Sequence, residues 1–465
     1  MEVKNYKEIL DKLNIDYSKV INSTLDIKND SILCIDHRNV EKLDNLVSES
    51  LKKGVKYILT SSNCSVNDSK LVKFDDYNLV FESILNYIYE GYKNLKYFGI
   101  TGTNGKTTSA FYLKQLLGNN SLFVGTTDQK SKYPFTEETV LTTPKIFNLV
   151  KLISIQNKKI DSIVLEVSSH ALDQNRLGNL EFEITGFTNL SQDHLDYHKS
   201  MENYLDAKSK LFQKNKSKKF VYIDSIYAKK LVANSNIESF SIGYDSKNDV
   251  ILRNFSNNNL EFTIDNNDVK LNLKLIGPKS IENFLLAFGM AYYSNTKDLL
   301  TLIKNSSGLI NPQGRYEKIE TNNNLNVIVD FAHTPLAIEE VIKYSKSIYK
   351  KVLVILGAGG NRDRSKRNLM GKAASYADSI FITNDNPRNE NPLEIANSIL
   401  EGIPLNKNVE VILDRQEAIS KAISMLKDDE VLLILGKGHE KTQEFQNELI
   451  PFDDVLIAKN IMENL

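Results

Sequence analysis

The stretch GITGTNGKTT, residues 99–108, joins an apolar run, KYFGI, to a helical pattern, TSAFYLKQLL, that stops at Gly118. A strand, a Gly-rich turn and a helix N-terminus in immediate succession admit few folds. The strand must be buried in a mostly parallel sheet, and the turn must present backbone N–H groups to an anion. Gly102 and Gly105 let the backbone close on a phosphate. Lys106 can reach terminal phosphates, and the Thr107 hydroxyl can ligate Mg²⁺. The spacing departs from the general phosphate-loop pattern. That pattern puts its first glycine five places before Gly105, where this chain has Ile100, and Gly99 is one residue too early.

The same alternation of strand and helix continues along the chain. SIVLEVSS, ITGFTNL and KFVYID read as further strands of the central unit, and IENFLLAFGMAYY as a buried helix. The segment from Asp249 to Gly277 alternates every second residue and carries Asn-rich turns, which predicts antiparallel strands. Beyond NPQGRYEKIE, the runs LNVIVDFA, KVLVILGA, SIFITND, VEVILD and EVLLILG alternate with helical stretches and predict a second α/β sheet. Before the loop, SILCID and VKYILTS read as strands around a helix, VEKLDNLVSESLKKG, that ends at Gly54. The expected fold is α/β in three domains. These are a small N-terminal domain (1–92), a central P-loop-type ATPase domain (93–311) and a C-terminal Rossmann-like domain (312–465).

A chain of 465 residues has room for these domains, and its net charge of −1 argues against binding nucleic acid through overall basicity. Cys34 and Cys64 lack metal-ligand spacing and make no disulfide framework, which fits a reducing compartment. The N-terminal MEVKNYKEIL lacks the apolar stretch of a signal peptide, and no run approaches membrane-spanning length. A cytoplasmic monomer with no membrane or nucleic-acid partner is expected.

Two more segments carry chemistry. In LEVSSHALDQNR, Glu166 stands at the C-terminal end of a buried strand, where ligands collect in parallel sheets. Read alone, it serves equally as a metal ligand or as half of a structural ion pair. TNLSQDHLDYH follows another strand and offers His194, while His198 fits a purely structural role.

GTNGKTT, TTP at 142–144, EVSSHALDQNR, TNLSQDHLDYH and MENYLDAKSKLF, in this order, resemble the Mur ligases of peptidoglycan synthesis. The loop variant is that family's own form. The resemblance covers roughly residues 95 to 460 and is strongest to the branch that adds the third residue of the peptide. It implies an ATP-dependent ligase that activates a carboxylate as an acyl phosphate, which an amine then attacks. It implies that Gly102, Thr103, Asn104, Gly105, Lys106, Thr107 and Thr108 bind ATP. Thr107 and Glu166 would hold Mg²⁺, and His194 a second metal. Lys208 would carry a carbamate derived from CO₂, with Lys210 as the lower-ranked alternative. Asn283 would read adenine, Arg315 would close on the nucleotide, and Asp330 and His333 would lie near ribose and phosphate.

The resemblance further implies a UDP-N-acetylmuramoyl-dipeptide substrate held by Thr142, Thr143, Ser168, Gln174 and Arg176. The N-terminal match is weaker. Asn22, Ser23 and Thr24 stand where Asp, Ser and Arg are usual, and Asn29 replaces a Gly. Ser23 is the surviving candidate for a uridine contact. In the C-terminal unit, Asp385-Asn386-Pro387-Arg388 is the family's signature for meso-diaminopimelate. Arg388 can take a distal carboxylate bidentately, against the alternative of a surface salt bridge. Arg362, Asn386, Gly436 and Glu440 would complete the diamino-acid pocket, with Glu440 facing the distal ammonium. Meso-lanthionine, with the same two ends, remains an alternative third residue, and L-lysine a more distant one. Two competing readings are a sister ligase of the folylpolyglutamate synthase kind and a non-catalytic nucleotide-binding regulator.

Overall fold

The computed structural model describes residues 16–37, 39–127, 141–156, 159–256, 258–446 and 448–465. The stretch MEVKNYKEIL lies outside them. The chain divides into two compact units. One comprises Met1–Lys96, Gln129–Asp161 and Asn175–Leu180, and the other Tyr97–Asp128, Ser162–Gln174 and Glu181–Leu465.

The first unit is built on a parallel four-stranded sheet: Val20–Ile21, Ile32–Cys34, Tyr57–Ser61 and Leu71–Phe74, side by side in chain order. Both faces are covered, as a parallel sheet requires. Ile32 and Cys34 pack with Val80, Ile84, Phe147 and Val150, whereas Leu33 and Ile58 pack with Leu43 and Val47. The helix Val40–Lys52 starts where Asn39 accepts the Lys42 N–H.

The second unit holds the loop. Its nine-stranded sheet runs, edge to edge, Asn267–Asn272, Asn259–Ile264, Val250–Ser256, Glu238–Gly243, Lys219–Ile223, Ile184–Phe187, Lys96–Thr101, Ser162–Glu166 and Ser121–Val124. Strands Ile184–Phe187, Ser162–Glu166 and Ser121–Val124 are buried along their whole length, which explains their unbroken apolar runs. The helix Ser280–Tyr293 packs against the loop helix Lys106–Leu117 and brings Phe284, Leu285 and Phe288 into the same core as Leu113 and Leu116. The segment 249–277 does form antiparallel hairpins, but Val250–Ser256 also pairs in parallel with Glu238–Gly243 and so extends the main sheet.

A six-stranded sheet follows in the order Glu317–Lys318, Asn326–Asp330, Glu430–Leu435, Lys351–Leu356, Ser379–Ile382, Asn408–Val411. All its pairings are parallel except the first. Beyond Leu435, Gly436 and Glu440 lie in a short loop. The structure adds an antiparallel hairpin there, Thr442–Phe445 with Glu448–Pro451. No helix among the described residues is long and apolar enough to cross a membrane. The architecture is the expected multi-sheet α/β fold.

Candidate active site

The loop leaves strand Lys96–Thr101 through Gly102, at φ 153°, and enters the helix through Gly105, at φ 82°. Space is as restrictive as backbone angle here. A Cβ on Gly102 would sit 1.8 Å from Thr188 Oγ1, and one on Gly105 would sit 2.4 Å from Asn283 Oδ1. The outer half of the loop is pinned by strand Ile184–Phe187 and its extension. Thr103 N–H donates to Asn189 O and Asn104 N–H to Asn189 Oδ1, at 2.9 and 3.0 Å. Those two amides are therefore spoken for. Among the described residues the helix N-terminus beyond them has no side-chain cap, which leaves its first turn to attract an anion. Lys106 Nζ folds onto the carbonyls of Gly102 and Thr103, at 3.0 and 2.7 Å. Burial lowers its pKa, against the opposing pull of Glu166 and Asp193.

Thr107 Oγ1 donates to Glu166 Oε2 at 2.9 Å. Thr126 donates to the same carboxylate twice, by its N–H to Oε1 and its hydroxyl to Oε2. Glu166 is 1% exposed, so its charge relies on these donors. Arg315 Nη2 donates to Thr107 Oγ1 at 3.1 Å, and its guanidinium stacks on Phe331. Its Nε is buried with no partner among the described residues. A hydroxyl, a buried carboxylate and a cation thus converge at the first turn of the loop helix. The oxygen donors suit a hard divalent cation, so the residues present fit Mg²⁺ beside a polyphosphate.

Lys208 is 1% exposed and donates to Gly102 O at 2.9 Å, with Tyr204's ring beneath the ammonium. Burial, and then the neighbouring Lys106, push its pKa well below the usual lysine range. Lys210 is different: it is half exposed and pairs with Asp173 at 2.8 Å. His194 sits in a left-handed backbone conformation, with Nε2 3.4 Å from Asp193 Oδ2. Burial pushes its imidazole down to about 3, against the pull of Asp193. His198 shares a hydrogen bond with Ser169 Oγ at 2.9 Å and packs against His170 and Tyr204.

Asp193 is the residue that sequence reasoning missed. Its buried carboxylate faces Lys366 at 3.2 Å, His194 at 3.4 Å and His333 at 3.8 Å. Burial alone would raise its pKa, but His333, Lys366 and His194 together hold it well below the usual range. The signal was its place next to His194 in SQDHLDYH.

The other nucleotide-side candidates lie close by. Asn283 Oδ1 accepts from Ser109 Oγ at 3.2 Å, beneath Gly105. Thr108 is in the same first turn as Lys106 and Thr107. Asn104 Nδ2 reaches Thr334 Oγ1 at 3.3 Å, and Thr334 caps the helix Pro335–Lys346. His333 Nδ1 lies 2.8 Å from Phe331 O. Asp330 accepts the Tyr316 and Ala332 N–H groups, both at 2.7 Å, and burial raises its pKa against the pull of Arg315. Asp330 therefore works as a backbone clamp, and its carbonyl also takes the Gly436 N–H at 3.1 Å.

The loops after strands Lys351–Leu356, Ser379–Ile382 and Glu430–Leu435 form the second cluster. Arg388 Nε donates to Glu444 Oε2 at 2.7 Å and Nη1 to Gly360 O at 2.8 Å. Pro387 O lies where a Cβ on Gly360 would be, so the two loops touch backbone to backbone. Arg362 is exposed and flanks Gly359 together with Arg388. Asn386 Nδ2 donates to Glu440 Oε2 at 2.9 Å, and the Asp385 carboxylate packs against Gly436. The expected Arg388 and Glu440 are thus brought to one cluster, each already holding an internal partner.

The remaining candidates are divided between the units. In the first, Arg176 Nη1 donates to Thr143 O at 3.2 Å, one residue after Thr142, and Ser23 Oγ accepts the Leu25 N–H at 3.3 Å. In the second, Ser168 caps the helix Ser169–Asp173 and Gln174 Nε2 reaches Tyr197 Oη at 3.4 Å.

With this geometry in place, comparison with known proteins is specific. The Mur ligase middle domain matches residues 100–291, and the Mur ligase glutamate ligase domain matches residues 314–438. A protein of Aquifex aeolicus named UDP-N-acetylmuramoyl-L-alanyl-D-glutamate–2,6-diaminopimelate ligase is 35% identical over 428 residues, covering 90% of this chain and 88% of that one. A Rickettsia bellii protein of the same name is 34% identical over 472 residues, covering 97% of each. A solved structure under that name superimposes with a TM-score of 0.64 at 27% identity, covering 96% of this chain and 94% of the other.

Proposed function

Because the chain belongs to the Mur ligase family, we propose that it joins meso-diaminopimelate to UDP-N-acetylmuramoyl-L-Ala-D-Glu at the expense of ATP, in peptidoglycan precursor synthesis. The observation that carries the reading is the convergence of Thr107, Glu166 and Arg315 on the first turn of the loop helix. The identity to ligases of that name over nine-tenths of the chain supports the same choice.

In this reading the γ-phosphoryl group of ATP passes to a carboxylate of the dipeptide. ADP and an acyl phosphate result. The amine of the diamino acid attacks the acyl carbon, the amide forms and phosphate leaves. Such transfers are catalysed by positioning and by neutralising charge. The uncapped helix N-terminus and Lys106 bind the polyphosphate, with Lys106 exchanging its loop carbonyls for phosphate oxygens. Thr107 and Glu166 would hold Mg²⁺, with His194 and carbamylated Lys208 at a second position, and the metal would supply positive charge against the phosphates. The depressed pKa of Lys208 supplies the neutral amine that addition to CO₂ requires. Arg315 completes the site from the C-terminal side and offers a buried N–H without a partner among the described residues. Asn283 lies beneath the loop for adenine, and Asp330 and His333 flank the nucleotide. Thr142, Thr143, Ser168, Gln174, Arg176 and Ser23 serve the UDP-sugar substrate.

Residues 1–92, 93–311 and 312–465 then divide the work between sugar nucleotide, ATP and diamino acid. A cytoplasmic, monomeric enzyme belongs to the same reading, supported by the free cysteines Cys34 and Cys64. The test is phosphate release, which must require the UDP-muramoyl-dipeptide and a diamino acid together. Release with ATP alone, or with a folate in place of the sugar nucleotide, would contradict it.

A further inference from the structure

Two ion pairs meet behind the Asp385–Arg388 loop. One joins Arg388 to Glu444 at 2.7 Å, and the other joins Lys437 to Glu440 at 3.1 Å. The Lys437 side chain has no exposed surface. Its ammonium donates to Asn386 Oδ1 at 3.1 Å, Glu440 Oε2 at 3.1 Å and Thr442 O at 2.7 Å. Those three bonds use every proton it has. Asn386 Oδ1 also accepts the Glu444 N–H at 3.1 Å, which turns its Nδ2 toward Glu440. One buried lysine therefore fixes both the amide and the carboxylate.

The four charges sum to zero. Asp385 on the same loop and Arg362 on the neighbouring one add one of each sign, Arg415 behind them carries its own counter-ion in Asp454, and Arg315 reaches Glu440 only at longer range. A neutral cluster responds to a ligand's distal end by charge. An end bearing one ammonium and one carboxylate keeps the cluster neutral and gives Arg388 an anion. An end bearing a bare ammonium meets a Glu440 that already has its cation, and it adds an unbalanced positive charge beside Arg388.

Building on the ligase reading, we propose that Lys437 is a specificity-determining residue: by occupying Glu440 it makes the pocket demand a zwitterionic distal end and reject a lysine-like one. The rejection comes from a resident counter-ion, in addition to what Arg388 attracts.

The experiment compares kcat/KM for meso-diaminopimelate and L-lysine in wild type, Lys437→Met and the double variant Lys437→Met/Glu440→Gln. Thermal unfolding is checked first. Lys437→Gln replaces Lys437→Met if the latter does not fold. The diaminopimelate-to-lysine ratio is expected to fall about tenfold in Lys437→Met and to recover in the double variant, which is neutral again. KM for ATP stays unchanged. Calorimetric binding of the two amino acids reads the same ratio without turnover. A wild type that releases no phosphate in response to a diamino acid defeats the ligase reading. A ratio unchanged in Lys437→Met, with both substrates impaired alike, or one that does not recover in the double variant, defeats the role of Lys437.

Discussion

Thr107 and Glu166 come from different strand ends, yet the Thr107 hydroxyl donates to the Glu166 carboxylate at 2.9 Å in a site almost closed to water. The pair unites the end of one strand with the helix that follows the neighbouring one. In the proposed reading, a cation bound to ATP would sit beside this pair.

Glu166→Gln keeps the shape and removes the charge. Phosphate release at saturating substrates is expected to fall about 100-fold, the scale for losing one electrostatic group from an active site. Thr107→Val should fall in the same direction, with the fold intact by circular dichroism. A Glu166→Gln enzyme with wild-type kcat would remove Glu166 from the metal site.

Lys208 and Lys210 are separated by environment. Lys208→Ala is expected to abolish detectable turnover, whereas Lys210→Ala, which breaks only the half-exposed pair with Asp173, should stay within about threefold of wild type. Intact-protein mass spectrometry of wild type under CO₂ should show one added carbamate that is absent from Lys208→Ala. The same adduct persisting in Lys208→Ala would place the modification elsewhere.

His198 gives a pH signature of stability. Burial depresses its pKa to about 4, whereas an unfolded histidine titrates near 6.5. Between those values the unfolded chain binds a proton that the folded chain does not. The share of stability that His198 carries is therefore present in full above about pH 6.5 and is lost as pH falls toward 4. His198→Gln keeps a partner for Ser169 and should make this part of the profile less steep, with His194, which burial also depresses, carrying the remaining slope. Equal slopes for the two proteins between pH 6.5 and 4 would show that His198 does not carry the effect.

A fully buried pair, Arg415 with Asp454, holds the C-terminal loops. Nε and Nη2 donate to the two carboxylate oxygens at 2.8 and 2.7 Å, and the guanidinium also reaches Leu435 O and Asn384 O. Arg415→Met leaves Asp454 buried without its cation and should cost about 3–5 kcal/mol by urea unfolding. Arg415→Met/Asp454→Leu should recover much of that. No difference between single and double variants would mean that the pair is not a coupled unit.

What was legible in the sequence was whatever is local. The loop, its strand and its helix lie within about one βα unit, so Gly102, Gly105, Lys106 and Thr107 could be read from the strand before and the helix after, even though the first glycine departs from the general spacing. The parallel sheets followed from apolar runs such as SIVLE and EVLLIL, which are buried on both faces. Contacts between distant segments were not legible. Glu444 meets Arg388 because the hairpin Thr442–Phe445 folds beside the loop, through a bridge between Arg388 and Phe445. Four residues are too short for a clear alternation. Asp193 and Lys366 are 173 positions apart, and nothing local marks them as partners.

The account stands or falls on one comparison: phosphate release from ATP and UDP-N-acetylmuramoyl-L-Ala-D-Glu with meso-diaminopimelate, meso-lanthionine or L-lysine at equal concentration. Release that requires all three reactants, with both diacids preferred to lysine, is the predicted result. Preference for lysine would contradict the roles given to Arg388 and Lys437, and release indifferent to any amino acid would contradict the ligase itself.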